Sequence, residues 1–255
     1  MIITTRKTEI LGKGLVKKKL NILGITLARG GSKSIPEKNI ADLNGLPLIY
    51  YTINEAKKSS LISDYIVSTD SKKIAKVARK FGAEIPFIRP KNISTDTASS
   101  LSGLKHAVNF MERKKNITYD YVIELMCTNP LKTLEDIDKC IKKIVRSKSD
   151  SVIAMHQLED HHPARIKKIV KDKIIDFCID EKNESRRQDL KPKAYIRSGS
   201  IYCMKRDYLM KQNRRYGGSD SRPYILPPER TINIDTPYDL EIARLMILDL
   251  NKLLK

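Results

Sequence analysis

The segment LARGGSKSIPEKNI, residues 27–40, combines two glycines with cationic side chains directly after a short apolar run. Its glycines free backbone N–H groups, and Arg29, Lys33 and Lys38 flank them. Backbone amides and cations in this arrangement are typical of a site for a small polyanion, most often phosphate. The two lysines that follow the glycines favour a triphosphate. The segment matches neither the P-loop nor the dinucleotide-binding glycine pattern.

A second group of polar side chains lies in the segment NIDTP. Thr236, Pro237 and Asp239 match a helix capping box with proline at the first helical position. In an extended strand, Asn233 and Asp235 project from the same face, which the helix cap does not explain. This pair predicts a site for a hard divalent cation, Mg²⁺ with Mn²⁺ as the alternative, that completes its ligands with water and phosphate.

A third group is cationic and lies between residues 158 and 197. The stretch HHPAR contains Arg165, and the stretch SRRQDLKP contains Arg186 and Arg187. Arginine is the preferred partner of a carboxylate, so an acidic substrate is a candidate for this region. The two adjacent histidines do not share a helix face, and no third ligand follows at a metal-binding spacing, so we expect them to pack rather than bind metal.

Short β-rich runs alternate with helical segments from residue 20 onward, which predicts a mostly parallel sheet covered by helices. Ligands bind beyond the carboxyl ends of parallel strands, so the three polar groups are expected to meet there. Over about residues 158–197 the alternation stops, and two β-rich runs surround a Lys-Asp-Lys turn. The predicted organisation is a basic extension over 1–19 and one α/β domain over 20–255 that contains an inserted β-rich arm.

Local signals predict several element boundaries. Asp70 or Ser71 should cap a helix that Gly82 closes, and Thr133 should cap another. The segment EIPFIRP predicts a short strand, and INID predicts a strand that enters the C-terminal helix. The segment GGSDSRPYILPPERT predicts a loop.

The composition narrows the classes of function. The 255 residues include 49 basic and 30 acidic side chains, a net charge of +19 that suits nucleic acid, an anionic membrane or phosphorylated small molecules. Lysine is spread along every helical stretch, as on a solvated surface, and the chain has no Trp and no zinc-finger or basic-zipper spacing, which argues against nucleic acid. No signal peptide or membrane span is expected. The four isolated cysteines favour the cytoplasm.

An ordered series of motifs resembles one family, the CMP-sialic acid synthetases or acylneuraminate cytidylyltransferases, over roughly residues 21–250. The motifs are LARGGSKSIPEKNI, IVSTD, IRP, STDTASSLSGLKHAV, TNPLKTLEDI, HHPAR, RRQDL, GSIY and NIDTPYDLEIA. These enzymes couple CTP to a nine-carbon keto-sugar acid. The resemblance implies a three-layer α/β fold of the nucleotidyltransferase, Rossmann-like type. It also implies a homodimer in which each inserted arm crosses over to complete the partner's site.

The same resemblance implies roles for individual residues. The C2 hydroxyl of the sugar acid attacks the α-phosphate and pyrophosphate leaves, which requires charge neutralisation and alignment. Arg29, Lys38 and Asp235 form the implied catalytic set, and Asp235 with Asn233 the implied metal ligands. The implied CTP contacts are Ala28, Arg29, Gly30, Ser32, Lys38, Asn39, Arg89 and Ser99. The implied sugar-acid contacts are Met126, Arg165, Arg187 and Tyr202. No residue is assigned as general base.

Three departures from the family pattern bear on activity. ELMCTNPLKT replaces the usual LLQPTSPLRT, so Met126 and Cys127 stand where a glutamine and a proline are common, and a hydrogen bond to the sugar is lost. NIDTP replaces DIDTP, which makes Asn233 neutral, and SGSIY replaces NGAIY, which introduces Ser198.

The predicted function is a Mg²⁺-dependent cytidylyltransferase for a sialic-acid-like nonulosonic acid, such as a relative of legionaminate or pseudaminate, that feeds surface glycan synthesis. Three alternatives stay open at this point. They are a CMP-Kdo-type synthetase, a nucleotide-binding relative with weak or no catalysis, and a nucleic-acid-binding protein.

Overall fold

The structure is a computed structural model that describes residues 19–180 and 186–253. Apart from Lys19, the basic extension predicted over residues 1–19 lies outside the described residues. Within the described residues there are ten strands and six α-helices. In chain order they are β1 (Ile22–Leu27), β2 (Asp42–Leu43), β3 (Leu46–Pro47), α1 (Leu48–Lys58), β4 (Asp64–Ser68), α2 (Lys72–Lys80), α3 (Ser100–Lys115), β5 (Tyr121–Leu125), α4 (Leu134–Ser147), β6 (Ser151–Gln157), β7 (Lys167–Val170), β8 (Lys173–Asp176), β9 (Tyr195–Lys205), α5 (Arg206–Met210), β10 (Ser221–Ile225) and α6 (Pro237–Leu253).

Six strands form a central sheet in the order β10-β6-β9-β5-β1-β4. Strand β9 runs antiparallel to β5 and β6, and the other neighbours are parallel. Apolar side chains of α3 and α5 pack on one face of the sheet, while α1, α2 and α4 pack on the other. The strands are therefore buried on both sides, as parallel strands require. The predicted three-layer α/β fold with a mostly parallel sheet is confirmed.

The predicted caps are found where the sequence places them. The Ser71 hydroxyl accepts a hydrogen bond from the backbone N–H of Ile74 at the start of α2, and Gly82 follows that helix with a φ of +80°. Thr133 and Asp136 form a reciprocal capping box at α4. Helix α6 begins at Pro237, as predicted. Unpaired N–H groups at helix ends need such partners, so these short-range signals fix where the helices begin.

Two strand predictions and one loop prediction are wrong. EIPFIRP forms only two isolated bridges to the sheet, and residues 231–236 are irregular rather than extended. The backbone N–H of Ile234 instead donates to the carbonyl of Thr128, 2.7 Å away, so this segment is tied to a loop and not to a strand. The segment predicted as a loop contains β10, whose Pro223 is tolerated because β10 is an edge strand that pairs only with β6.

The inserted arm contains the predicted hairpin. Strands β7 and β8 pair with each other in a sheet of their own, and the turn between them uses Lys171 and Asp172 with positive φ. Strand β9 begins at Tyr195 and pairs with β6, so residues 195–197 of the predicted arm, 158–197, belong to the central sheet. Ile169 and Ile174 of the hairpin are each 77% exposed. Among the described helices, none has the length and apolar content needed to cross a membrane.

Candidate active site

A cavity of about 520 Å³ opens beyond the carboxyl ends of β1 and β5. Its walls come from the glycine-containing loop after β1, the segment that leads into α3, the loop after β5 and the irregular segment before α6. Eight of the predicted site residues line it: Arg29, Ser32, Lys38, Asn39, Arg89, Ser99, Met126 and Asp235. The fold therefore gathers residues that are more than 200 positions apart in the sequence.

The loop after β1 is fixed by hydrogen bonds to its neighbours. The backbone N–H of Gly30 donates to the carboxylate of Asp70 at 2.9 Å, and the buried Asn39 side chain donates to the carbonyl of Arg29 at 2.9 Å. Ala28 is fully buried, and its N–H donates to the carbonyl of Ser68. Ala28 and Gly30 thus support the loop from beneath, and they are not among the residues that line the cavity.

Two cations of this loop share one acidic partner. Arg29 lies 2.8 Å and Lys33 lies 3.1 Å from the carboxylate of Asp96 across the mouth of the cavity. Lys33 and Arg29 together lower the pKa of Asp96, so that group is a carboxylate at neutral pH. Two positive charges against one negative charge leave this side of the cavity cationic, and a polyanion can exchange with Asp96 for the two cations.

Arg89 forms a buried part of the cavity wall. Its side chain is only 5% exposed, and its Nε donates to Ser94 Oγ at 2.9 Å. Burial lowers the pKa of Arg89, while Asp70 acts to raise it. Ser99 caps α3 by accepting a hydrogen bond from the N–H of Ser102. Both residues are held before any ligand arrives, which reduces the entropy cost of binding.

Lys38 and Asp235 meet at the end of the cavity. The Lys38 ammonium donates to Asp235 Oδ1 and to the carbonyl of Ile234, each at 2.9 Å. The Asn233 amide donates to Asp235 Oδ2, and Asn233 Oδ1 is buried without a hydrogen-bond partner among the described residues. Asn233 packs closely against Gly199. A Cβ at residue 199 would lie only 3.1 Å from Asn233 Oδ1, so glycine provides the space for this side chain. Asn233 and Asp235 therefore converge, although not through the alternation of a strand.

The other predicted sugar-acid contacts, Arg165, Arg187 and Tyr202, are not among the residues that line this cavity. Arg187 pairs with Glu159 at 2.5 Å and Asp160 at 3.5 Å, beside a smaller cavity at the base of the arm. Arg165 ends a short turn, Pro163–Arg165, and is exposed. Tyr202 is buried in the sheet, 5.7 Å between ring centres from Tyr216. One protomer by itself brings neither arginine of the arm to the cavity.

Residues 23–212 match the family model described as Cytidylyltransferase. The chain belongs to the cytidylyltransferase family. Pseudaminic acid cytidylyltransferase of Campylobacter jejuni is 34% identical over 231 residues, which are 88% of this chain and 95% of that protein. CMP-N,N'-diacetyllegionaminic acid synthase of the same species is 30% identical over 226 residues, 89% and 94% of the two chains. N-acylneuraminate cytidylyltransferase A of Danio rerio is 29% identical over 232 residues, 91% of this chain and 52% of that protein.

Two solved structures share the fold. CMP:2-keto-3-deoxy-manno-octonic acid synthetase complexed with CTP has a TM-score of 0.67 at 18% identity and covers 90% of this chain and 99% of its own. The 4-diphosphocytidyl-2C-methyl-D-erythritol synthase of Anaerococcus prevotii has a TM-score of 0.58 at 14% identity and covers 91% and 100%. At sequence identities of 18% and 14%, the similarity of these structures shows a shared fold and nothing about substrates. The family resemblance inferred from the motifs is confirmed by the family model and the curated relatives.

Lys132, which no sequence pattern singled out, lies buried next to the cavity wall. Its side chain is 1% exposed beneath the loop after β5, and its ammonium donates to Thr52 Oγ1 at 2.7 Å and to the carbonyl of Asn129. Thr52 in turn donates to the carbonyl of Met126 at 3.4 Å. Burial lowers the pKa of Lys132 to about 7. Lysine is usually a surface residue, so only the packing shows that this one supports the cavity wall.

Substituting Lys132 by methionine is expected to remove a pH dependence of stability. The pKa of Lys132 is about 7 in the folded chain and about 10.4 when unfolded, so the unfolded state binds more protons between these values. The free energy of unfolding of the wild type should rise by about 1.5 kcal/mol relative to Lys132→Met from about pH 7 to about pH 8.5. Urea titrations across that interval measure it.

A buried cysteine sets the upper limit of this pH interval, and an exposed lysine provides the control. Burial raises the pKa of Cys127 to about 12, so above about pH 8.5 the unfolded thiol loses its proton first, and the Cys127 contribution to stability, which the wild type and Lys132→Met share, falls with pH. Lys139 is exposed and pairs with Glu135 four residues earlier on α4, so Lys139→Met should keep the wild-type slope. Parallel curves for the wild type and Lys132→Met would contradict the assignment.

Proposed function

We propose that this chain transfers CMP from CTP to the C2 hydroxyl of a nonulosonic acid and releases pyrophosphate. The observation that carries the proposal is the convergence of Arg29, Lys38 and Arg89 with Asp235 around one cavity at the carboxyl edge of the sheet. The names of the curated relatives specify pseudaminic, legionaminic and N-acylneuraminic acids as substrates. All three are nonulosonic acids, so the acceptor class rests on several relatives rather than one.

The proposed reaction depends on positioning and on charge. The C2 oxygen forms a bond to the α-phosphorus, the bond from that phosphorus to the bridging oxygen of pyrophosphate breaks, and the hydroxyl proton leaves to solvent. Arg29 and Lys38 bind the triphosphate and stabilise the charge that develops on pyrophosphate. Cytidine is proposed to bind to the part of the cavity that Arg89, Asn39 and Ser99 line. The phosphates are proposed to displace Asp96 from Arg29 and Lys33.

The residues around Asp235 fit a magnesium ion that arrives with the nucleotide. The Asp235 side chain is 64% exposed at the cavity. Asn233 does not itself line the cavity, but its buried Oδ1 has no hydrogen-bond partner among the described residues, and a turn of the amide would present that oxygen toward Asp235. Mg²⁺ usually takes one or two protein oxygens and completes its shell with water and phosphates. No group of three or more His, Cys, Asp or Glu suited to a metal occurs in the described part of the chain. When bound, the ion would neutralise phosphate charge, with Mn²⁺ as the alternative.

Pyrophosphate release tests the proposal. The purified chain is incubated with CTP and Mg²⁺ and with pseudaminic, legionaminic, N-acetylneuraminic or Kdo acid, while ATP, GTP and UTP serve as nucleotide controls. Release with CTP and at least one of the three nonulosonic acids is the expected result. CTP binding without release for any acid would support a relative that has lost catalysis. Release with Kdo alone would favour the eight-carbon alternative, for which the present support is a fold likeness at 18% identity.

The arm supports a homodimer with exchanged arms as part of this proposal. The hairpin β7–β8 pairs with no other strand in the described chain, and Ile169, Ile174 and Phe177 expose large apolar surfaces on it and beside it. An exposed apolar patch of this kind is typical of a protein interface. A partner's arm would bring Arg165 and Arg187 to the cavity that they do not reach in one protomer. The four cysteines are free, in keeping with the proposed cytoplasmic location.

Arg187→Ala is expected to raise the KM for the sugar acid about tenfold and to leave the KM for CTP within about twofold. Arg187 is proposed to exchange Glu159 and Asp160 for the acceptor's carboxylate, and one charge-assisted hydrogen bond contributes about 1.5 to 3 kcal/mol. Initial rates with each substrate varied in turn measure both constants. Arg186→Ala is the control, because Arg186 is exposed and pairs with Asp189. A raised KM for CTP instead would contradict the placement of the arm.

A further inference from the structure

Glu124 places a buried carboxylate on the wall of the cavity. It lies near the carboxyl end of β5, two residues before Met126, which follows the strand, and both side chains line the cavity. Glu124 is 1% exposed and Met126 is partly exposed. At Met126 the resemblance implies an amide that hydrogen-bonds the sugar, but this chain has a thioether there. The adjacent polar group that can take over this contact is Glu124.

Arg215, which does not line the cavity, holds Glu124 in place. Its guanidinium lies 2.6 Å from Glu124 Oε2 and stacks over the ring of Tyr202 at 4.6 Å. Tyr216 lies beside it, 5.7 Å from the guanidinium to the ring centre. Burial raises the pKa of Glu124, and the charge of Arg215 opposes that rise. The ion pair and the two rings give the carboxylate a fixed position.

This ion pair is not needed for packing alone. Burying two charges costs several kcal/mol per ion, and apolar residues of similar volume are often as stable. The pair is also incompletely satisfied, because Arg215 engages only Oε2 of the carboxylate, and neither Glu124 Oε1 nor Arg215 Nε has a hydrogen-bond partner among the described residues. A buried carboxylate on a cavity wall, with hydrogen-bonding capacity left over, indicates a ligand group that donates hydrogen bonds.

We propose that Glu124 determines acceptor specificity by accepting a hydrogen bond from an N–H or O–H group of the sugar acid, and that Arg215 is its positioning residue. This inference rests on the function proposed above. A carboxylate on this wall also repels an anion, so the acceptor turns its own carboxylate elsewhere. When an acceptor without this N–H or O–H group binds, the Glu124 carboxylate is buried without a hydrogen-bond donor from the ligand. The free energy of that unmade hydrogen bond weakens the binding of such an acceptor.

The test separates binding from stability. Glu124→Leu is expected to raise the KM of the best acid of the panel at least about tenfold while the KM for CTP stays within about twofold. Glu124→Gln keeps an acceptor oxygen and should restore at least half of that loss. Glu124→Leu/Arg215→Leu removes both charges and should regain the thermal stability lost in Arg215→Leu, without regaining the acceptor KM. N-acetylneuraminic acid and its 5-hydroxyl analogue, compared in each variant, show whether an N–H or an O–H is the donor.

A second ion pair provides the matched control. Arg206 and Glu112 lie 2.8 Å apart on the same face of the sheet, outside the residues that line the cavity. Glu112→Gln should lower the thermal stability and leave the acceptor KM unchanged. An unchanged acceptor KM in Glu124→Leu, with wild-type activity intact, would overturn this inference and leave the proposed function standing. Absence of wild-type pyrophosphate release would overturn the proposed function and this inference with it.

Discussion

Asp235→Asn is expected to lower kcat by about 10³-fold while the fold and its thermal stability remain close to those of the wild type. Asp235 is the exposed carboxylate at the cavity edge, and its two oxygens face the Lys38 ammonium and the Asn233 amide. The substitution keeps the size of the side chain but removes the negative charge. Loss of one electrostatic contact that acts in the transition state costs about 10² to 10³ in rate, and the proposed magnesium ion loses its one charged protein ligand as well.

Steady-state pyrophosphate release at saturating CTP and Mg²⁺ measures this effect, with a thermal melt beside it. Asp220→Asn is the matched control, because Asp220 is also an exposed carboxylate paired with a cation, Arg222, but lies at the start of β10 away from the cavity. The control should retain the wild-type kcat. A kcat for Asp235→Asn within about threefold of the wild type would contradict the proposed role.

Lys38→Met is expected to lower kcat by about 10² to 10³-fold and to weaken CTP binding. The Lys38 side chain is largely buried, and its ammonium is held by Asp235 and the carbonyl of Ile234, so its position is set before the nucleotide arrives. A charge that needs no reorganisation stabilises developing charge most strongly. Lys38→Arg should recover part of the binding and little of the rate, because a guanidinium differs in shape and reach from an ammonium.

Isothermal titration with CTP and single-turnover rates separate the two effects of Lys38→Met. Lys73→Met is the control, because Lys73 is an exposed lysine that pairs with Glu37 in the same region and does not line the cavity. Exposed ion pairs contribute little, so this control should behave as the wild type. Equal losses in the two variants would show that the total charge of the surface, rather than the position of Lys38, attracts CTP.

Several features of the candidate site follow from short-range chemistry and could be predicted from the sequence. Ser71, Thr133 and Thr236 cap helices through partners three residues away. The cations of residues 27–40 adjoin a strand end, and strand ends of a parallel sheet share one edge. Local rules of this kind hold wherever the interacting groups are neighbours in the chain.

Other features depend on contacts between distant segments. The segment of Asn233 and Asp235 is irregular because Ile234 pairs with the loop after β5, and the tie between Lys38 and Asp235 spans 197 positions. The buried Lys132 and the pair of Glu124 and Arg215 have no counterpart in the local sequence pattern, since a charged side chain is expected at the surface.

The sequence by itself therefore determined the family, the three-layer fold and eight of the residues that line the cavity. The tertiary structure decided which of them are free to meet a ligand: Gly30 and Ala28 support the loop, Arg187 faces the arm's own acids, and Glu124 is held at the wall. The physical reason is that residue type and spacing fix local geometry, whereas burial and charge pairing are properties of surfaces that form only when distant segments pack together.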